Sequence, residues 1–530
     1  MGTGCKIQEN PWKNKAIERA KEIKELVKEL IRQKLRAERW RNESSALKKT
    51  VLEQALEIEA KNLKIKELEA NSGSPFYEIA LKDVHLKGYK YALSVIWLCV
   101  NLYKSGLSLR QVCIVSEFTR SFLGVKFKVP SYGAVRIWVQ KTGLHLLEKG
   151  GKTGKKSKSV IERWCLIVDE SYSLGKSQLL LVLAVRLSDL QQGRALRVSD
   201  VVPAVIRSRE SWKGEDVSQV LTEASKKIGG RVKCVVSDRG AGLMKAFQIQ
   251  GLPHVCDWSH FSANVLEKCY VNNIDFKLFN EKMGNFKKKR KQGQHTQYSP
   301  PTLSVKMRFL NYTPFLEWAD AMLLNFKKIP AQIAPELQFL KDLKPFIGEM
   351  TDLFFTAHEI GVILKKEGIN PTSQAKALGM LEILEQNIKD NNKKYPNPLT
   401  VTTFTLDVKQ YFNSAISIYH KVTPPTPENV LFAPSFDGLV ASSDIIESIF
   451  GKLKSRCLKD PKRGFSAISL IIPLFCHSFS PFHVFEALAK VSMNDLEKWK
   501  KNNISNNINT SWRNAFKSKS KNGEGFKLEV

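Results

Sequence analysis

Residues 232–260 read "VKCVVSDRGAGLMKAFQIQGLPHVCDWSH" and contain two apolar runs that each end at an aspartate. The first run is β-branched and is followed by Asp238, a glycine turn and a short helical segment, "AGLMKAF". The second run ends at Asp257, and His260 follows three residues later. The stretch therefore predicts two strands separated by a helix, with an acidic side chain at the end of each strand.

Three further strands are predicted before this stretch. The runs "RWCLIVDES" (163–171) and "QLLLVLAVRL" (178–187) are joined by a short loop and predict a buried hairpin, and "VVPAVI" predicts a third strand. The amphipathic segment "GEDVSQVLTEASKKIGG" predicts a helix. The order is then three strands, helix, strand, helix, strand, helix. In such a sheet the ends of strands one and four lie side by side at the centre.

Three acidic residues fall where this arrangement brings side chains together. Asp169 ends the first strand, Asp238 ends the fourth, and Glu447 lies on a helix after a long helical stretch. Two or three carboxylates suffice for Mg²⁺, which prefers oxygen ligands and keeps several waters. Asp444 lies one turn before Glu447 and is an alternative. We prefer Glu447 because Lys454, two turns later on the same face, places a cation where substrate phosphate would lie.

The order of "LIVDES", "VVSDRG" and "DIIESIFGKLKSR" resembles the Asp-Asp-Glu transposases, whose catalytic domain is ribonuclease H-like. The long helical interval before Glu447 is similar to the all-α insertion that some of these enzymes carry. "DWSH" matches the (C/D)xxH signature of the Mutator-like and hAT branches.

The resemblance implies that Asp169, Asp238 and Glu447 are the catalytic, metal-binding residues, and that Asp257 and His260 support the active-site floor. It implies two Mg²⁺ ions per active site, with Mn²⁺ as a substitute. Such ions, about 4 Å apart, activate the attacking oxygen and stabilise the leaving one. The implied partners are double-stranded DNA, as terminal inverted repeats and target, and further copies of the chain in a homodimer or higher oligomer.

We therefore expect an α/β fold, a ribonuclease H-like mixed sheet flanked by helices, with a large all-α insertion and an N-terminal helical region. Val51, Ile58 and Ile65 repeat every seven residues in the N-terminal helices, which leaves a coiled coil or a solvated helix open. The predicted segments are long helices over 1–75, a DNA-binding domain over 76–149, a basic linker over 150–160, the catalytic domain over 161–270 and 436–490, the insertion over 271–435 and a basic tail over 491–530.

The predicted DNA-binding domain has the layout of a helix-turn-helix. Ser108 is placed to cap one helix, and Pro130-Ser131 opens a second. The second helix would offer Arg136 and Lys141 to a DNA groove, together with Ser131 and Tyr132. A plain helical bundle is the alternative.

The charge of the chain favours a polyanionic partner. Lys and Arg number 83 against 52 Asp and Glu, a surplus of 31 positive charges, and nucleic acid is the partner that this surplus fits best. The run "KKKRK" (287–291) is either a phosphate-contacting loop, which adds Lys287, Lys288, Lys289 and Arg290 to the DNA-binding candidates, or a nuclear import signal. Trp318 has helical spacing to other apolar residues, so we interpret it as a core residue rather than a base-stacking one.

Other features of the sequence restrict the class of protein and its cellular compartment. Nine cysteines without any CxxC pair indicate reduced thiols in an intracellular protein. The spacing of His254, Cys256, His260 and Cys269 fits no regular zinc pattern. The longest apolar stretch, 91–102, is too short to span a bilayer, and no signal peptide is visible. We expect no membrane partner, and a location in the cytoplasm or nucleoid of a bacterium or the nucleus of a eukaryote.

The leading functional hypothesis is a transposase that binds inverted repeats, hydrolyses phosphodiester bonds and joins the freed 3′-hydroxyls to target DNA. A domesticated DNA-binding protein without catalytic activity and a structure-specific nuclease on the same fold are the alternatives.

Overall fold

The computed structural model describes residues 88–123, 127–150, 163–174, 177–229, 231–290, 295–301, 309–390, 396–422, 438–456 and 465–505. These residues all belong to one compact unit, Asp83–Val530. The helices predicted for 1–75, most of the predicted linker and the end of the predicted tail lie outside the described residues. Within the described ranges, no helix combines the length and the hydrophobicity needed to cross a membrane.

Within residues 88–150 as described, the chain forms three helices before the sheet: α1 (Leu93–Ser105), α2 (Leu109–Leu123) and α3 (Tyr132–Lys149). The predicted cap is confirmed, because Ser108 Oγ accepts from Gln111 N at 3.2 Å. The second helix begins after Ser131, as predicted, and Ser131 Oγ accepts from Ala134 N at 3.3 Å. Helix α3 is largely buried against the 3-10 segment Ala467–Ile471 and the helix Pro481–Lys490. These helices therefore pack within the same unit as the sheet.

Helix α3 approaches its neighbour closely at one glycine. A Cβ atom on Gly143 would lie 1.8 Å from the carbonyl oxygen of Leu470, closer than any two such atoms can approach. Only glycine allows this packing of the helix.

Five strands form one mixed sheet in the order β3-β2-β1-β4-β5. Their bounds are β1 (Arg163–Leu174), β2 (Ser177–Arg186), β3 (Val201–Arg209), β4 (Arg231–Ser237) and β5 (His254–Cys256). The first three strands are antiparallel to one another, whereas β4 runs parallel to β1 and β5 runs parallel to β4. The predicted order is confirmed, and β1 and β4 are neighbours at the centre.

Each face of the sheet is covered by helices. Helices α4 (Gly214–Ile228) and α5 (Ala241–Gln250) bury their apolar stripes against Leu166 and Val168 of β1. Helix α4 ends at Gly229, whose φ of 64° is a left-handed conformation that favours glycine. The other face of β1, with Cys165 and Ile167, belongs to a larger core shared with α3 and the helices that follow.

The described part of the predicted insertion consists mainly of helices. Helix α6 (Trp258–Tyr270) leads from the sheet into α7 (Ile274–Arg290), α8 (Thr313–Leu324), α9 (Gln338–Asp342), α10 (Lys344–Glu367), α11 (Pro371–Asp390) and α12 (Pro398–Val422). Trp318 is buried, and its Nε1 donates to the Tyr298 carbonyl at 2.9 Å, which confirms a core position. The described part of the basic run, 287–290, ends helix α7 instead of forming a loop.

The chain returns from the insertion to the sheet in α13 (Asp444–Lys454), α14 (Ile472–Cys476), α15 (Pro481–Lys490) and α16 (Met493–Asn503). Ser492 caps α16 by accepting from Asp495 N at 3.1 Å, and Leu496 is buried. Part of the predicted basic tail, which the sequence places after residue 490, therefore forms a helix that packs on the same unit. The seven described cysteines are free thiols, in agreement with the prediction.

Candidate active site

Two acidic residues meet at the centre of the sheet. Asp169 lies in β1, and Asp238 follows the last residue of β4. The parallel register pairs Ile167 with Val236, and two more residues along each strand bring Asp169 beside Asp238. Asp169 is only 4% exposed. The sheet thus places both carboxylates at the same edge of the central strand pair.

Glu170 is a third acid at this edge, and the sequence alone did not single it out. Burial, together with the negative charges of Asp238 and Asp169, raises the pKa of Glu170 to about 6. A Cβ on Gly240 would lie 3.2 Å from Asp238 Oδ1 and 3.5 Å from Glu170 Oε1, so both carboxylates face the same turn. Glu170 Oε2 is buried and has no hydrogen-bond partner among the described residues.

An irregularity in β1 explains why Glu170 was missed. In a regular strand, consecutive side chains point to opposite faces of the sheet, so Asp169 and Glu170 would diverge. The pairing of β1 with β2 shifts register between Asp169 and Tyr172. A bulge of this kind changes the direction of a side chain such as that of Glu170. No local sequence pattern predicts this bulge.

Glu447 and Asp444 differ in their surroundings on α13, a helix that packs against β1. Asp444 Oδ1 accepts from Ser259 Oγ at 3.2 Å, and its Oδ2 forms an ion pair with Lys365 at 2.6 Å. Glu447 is half-buried, with its Oε1 shielded from solvent. Asp444 therefore connects α13 to Ser259 and Lys365. Glu447 is the better candidate for a catalytic, metal-binding role.

The described residues contain no group of three or more His, Cys, Asp or Glu side chains arranged to hold a metal ion. The structure brings Asp169, Glu170 and Asp238 within electrostatic range, with Glu447 on the helix that covers β1. Burial raises the pKa of Cys256 to about 11, which disfavours the thiolate that zinc would need. Zinc binding by the four His and Cys residues near Cys256 is not supported.

Asp257 connects two distant parts of the chain. Its Oδ1 accepts from His260 N at 2.7 Å and from His260 Nδ1 at 2.9 Å, which caps α6. Its Oδ2 accepts from the backbone N of Ser443 at 2.5 Å and from Ser443 Oγ at 2.9 Å. Burial acts to raise the pKa of Asp257, but the bonds from His260 and Ser443 outweigh it and hold the pKa below its usual value. An ionised carboxylate thus anchors the residue that precedes α13.

Trp258 anchors the insertion to the same place. Its backbone N donates to the Ala441 carbonyl at 2.9 Å, and its Nε1 donates to the Ala357 carbonyl of α10 at 3.1 Å. The ring packs against Tyr411 of α12, whose hydroxyl donates to the Cys256 carbonyl at 3.0 Å. The "DWSH" segment therefore joins the sheet, the insertion and α13. Sequence reasoning identified Asp257 and His260 but missed Trp258 and Ser443.

The predicted DNA-contacting residues of the helix-turn-helix region have unequal access to a ligand. Arg136 is exposed near the start of α3. Lys141 is buried, and its Nζ donates to the Tyr89 hydroxyl at 2.9 Å. The expectation that Lys141 reaches a DNA groove therefore does not agree with this packing, because α3 faces the core along most of its length. Lys454 is exposed in the last turn of α13.

The predicted basic residues of α7 also differ in their exposure to solvent and in their partners. Lys287 is half-buried, and its Nζ donates to the Pro301 carbonyl at 2.5 Å. Lys289 forms an ion pair with Glu336 at 3.7 Å, and Lys288 is exposed. Arg290 is the last residue of the helix. Lys288 and Lys289 are therefore both exposed on α7, and Lys289 is paired with Glu336.

Comparison with known proteins gives similarities in structure and none in sequence. No protein-family model matches the sequence, and no curated protein matches it. In structure, the chain is similar to the Drosophila P element transposase strand transfer complex, with 12% sequence identity and a TM-score of 0.39. That similarity covers 82% of this chain and 99% of the other.

Proposed function

We propose that this chain is a metal-dependent DNA transposase with a ribonuclease H-like catalytic domain. The observation that carries the proposal is the position of Asp169 beside Asp238, at the ends of two adjacent parallel strands in a sheet of order β3-β2-β1-β4-β5. This position supports the proposal, because the transposase resemblance implies that Asp169 and Asp238 share the bound metal. The "DWSH" segment supports membership in the branches with a (C/D)xxH signature.

The donor set suits a hard divalent cation. Asp169 and Asp238 offer carboxylate oxygens, and Mg²⁺ completes its coordination with water and substrate phosphate when a protein supplies only one or two carboxylates. Burial, together with the negative charges of Asp238 and Asp169, raises the pKa of Glu170, and a divalent cation would relieve the repulsion between these carboxylates. We propose that Asp169 and Asp238 hold the metal and that Glu447, which forms no metal-binding group with them in the described structure, completes the set once metal and DNA are bound. Bound Mg²⁺, or Mn²⁺, would activate the attacking oxygen and stabilise the leaving one.

The residues around the acids have positioning roles in this proposal. Asp257 holds Ser443 at the start of α13, so that the helix carrying Glu447 stays against β1. Lys454 and Arg136 are exposed cations that bind DNA phosphates. A transposase must cut and join both ends of its mobile DNA element together. We therefore propose a homodimer or higher oligomer.

The proposal is tested by incubating the purified chain with DNA that carries the inverted repeats flanking its gene, in the presence of Mn²⁺. Nicked and joined products are expected from the wild-type protein. Asp169→Asn and Asp238→Asn should yield neither product while still retarding the DNA in a mobility-shift assay. Cutting without joining would indicate a structure-specific nuclease instead, and binding without any product would indicate an inactive DNA-binding protein. Either result would overturn the proposal.

A further inference from the structure

Three cations converge where the end of α13 meets the turn between α1 and α2. The Arg456 guanidinium donates to the carbonyls of Lys104 and Leu107, both at 3.1 Å. It also lies 5.3 Å from the centre of the Tyr103 ring. Arg456 therefore ties the end of the helix that carries Glu447 to the α1–α2 turn.

Two lysines flank the segment 475–479 beside this arginine. Lys104 Nζ donates to the His477 carbonyl at 2.9 Å and lies 5.0 Å from the centre of the Phe479 ring. Lys452 Nζ lies 5.9 Å from the centre of the Phe475 ring. We call Lys104, Lys452 and Arg456 the basic junction.

The basic junction has no carboxylate to balance it in the part of the chain that the structure describes. Other cations of the described residues, such as Lys149 and Lys268, pair with Glu486 and Asp407, whereas none of the three cations of the junction forms an ion pair there.

The positive charge of the junction is accordingly destabilised. Burial is the largest effect and lowers the pKa of Lys104; Cys476 acts in the opposite direction, and the nearby charge of Lys452 lowers the pKa as well. Burial also lowers the pKa of Arg456. Carbonyls at the helix ends offset only part of this repulsion, so an external anion would stabilise the cluster.

The position of the junction relative to the acids indicates which anion it meets. Lys452 lies five residues after Glu447 on α13, which corresponds to about 7.5 Å along the helix axis. A nucleic-acid strand carries a phosphate about every 3.4 Å of duplex axis. Five residues also rotate the helix by about 140°, so Lys452 and Glu447 lie on different sides of α13. A strand held near Glu447 would therefore contact Lys452 where it passes around the end of α13.

We propose that the basic junction binds the sugar-phosphate backbone of the DNA strand that enters the candidate active site. This inference rests on the proposed function and extends it, because it assigns a DNA-backbone surface to the α1–α2 turn and the end of α13. The surface is separate from the face of α3 that the helix-turn-helix prediction singled out.

The test is the salt dependence of DNA binding by the full chain, measured by fluorescence anisotropy with a labelled random-sequence duplex between about 50 and 200 mM salt. Lys452→Gln should make the slope of log K against log salt shallower by about 0.9 for each phosphate that the protein no longer neutralises. The double variant with Lys104→Gln should flatten it further. Lys452→Arg should retain the wild-type slope, and Lys226→Gln, an exposed lysine on α4, is the matched control.

Thermal unfolding is measured alongside, and Lys452→Gln should melt as the wild type does because its side chain is exposed. An unchanged slope in Lys452→Gln, or an equal change in Lys226→Gln, would overturn the inference while leaving the proposed function intact. Failure of the proposed function appears differently: the wild-type chain would bind DNA without Asp238-dependent cleavage, or would not bind it at all.

Discussion

Asp257 and Ser443 are 186 residues apart in the chain, yet two hydrogen bonds join them in the core. Ser443 donates from its backbone N and its Oγ to Asp257 Oδ2, while Asp257 Oδ1 accepts from His260. Each oxygen of the buried carboxylate thus has two donors. The bonds fix the point where the chain returns from the insertion, directly before the helix that carries Glu447.

The first prediction concerns this link. Asp257→Asn replaces an acceptor oxygen with a donor amide facing existing donors, so we expect a loss of about 1–3 kcal/mol in the free energy of unfolding. Ser443→Ala removes only the Oγ bond and should cost about 0.5–1.5 kcal/mol. Urea unfolding followed by circular dichroism measures both. Equal stability of Asp257→Asn and the wild type would show that the link does not stabilise the fold.

The second prediction separates the two acids of α13. Glu447→Gln should reduce DNA cleavage below detection, because it removes a proposed metal ligand. Asp444→Asn should leave cleavage within a few fold of wild type, because Asp444 makes an exposed ion pair with Lys365, and such pairs contribute about 0–1 kcal/mol. Cleavage assays with Mn²⁺ on both variants give the comparison. The reverse pattern would assign the catalytic role to Asp444.

The third prediction uses two glycines of α3. Gly143→Ala places a Cβ 1.8 Å from the Leu470 carbonyl oxygen, so the helix must move, at a cost of about 1–3 kcal/mol or more. Gly133→Ala is the matched control, because its Cβ would lie 3.9 Å from Ser131 Oγ, and alanine favours a helix by about 0.5–1 kcal/mol. In thermal unfolding, Gly143→Ala should therefore lower the melting temperature and Gly133→Ala should raise it. A similar change in melting temperature for both variants would contradict the close packing of α3.

The fourth prediction concerns Glu349, which is fully buried on α10. Tyr270 donates to its Oε1 at 3.4 Å and Asn397 N donates to its Oε2 at 3.0 Å, but burial dominates and raises the pKa from 4.5 to about 7. Between these two pKa values the folded state holds a proton that the unfolded state releases. The contribution of Glu349 to stability therefore falls as pH rises through this window, and the penalty is complete above it.

Glu349→Gln removes this penalty. The variant should melt at a higher temperature than the wild type at a pH of about 8, and the difference should shrink at a pH of about 5. Differential scanning calorimetry of both proteins across this range measures the effect. A difference in melting temperature between the two proteins that is the same at every pH would show that Glu349 does not titrate in this window.

Much of the sheet was predictable because strands and helices are encoded by neighbouring residues. The β-branched runs, the glycine turn after Asp238 and the apolar stripe of α4 each specify a local element, and their order limits the sheet to few topologies. Ser108 and Ser131 act as caps within three residues of their partners, so local sequence was sufficient for them as well. The pairing of Asp169 with Asp238 followed from the same order of elements.

Tertiary packing decided the features that depend on distant partners. The bulge in β1 turns Glu170 toward Asp238, and the burial of α3 removes Lys141 from the surface. The partner of Asp257 is set by how the whole insertion folds. Local residues determine which elements form, because backbone preferences and side-chain periodicity act over a few positions. Long-range packing determines which side chains meet, because that depends on the position of every element at once.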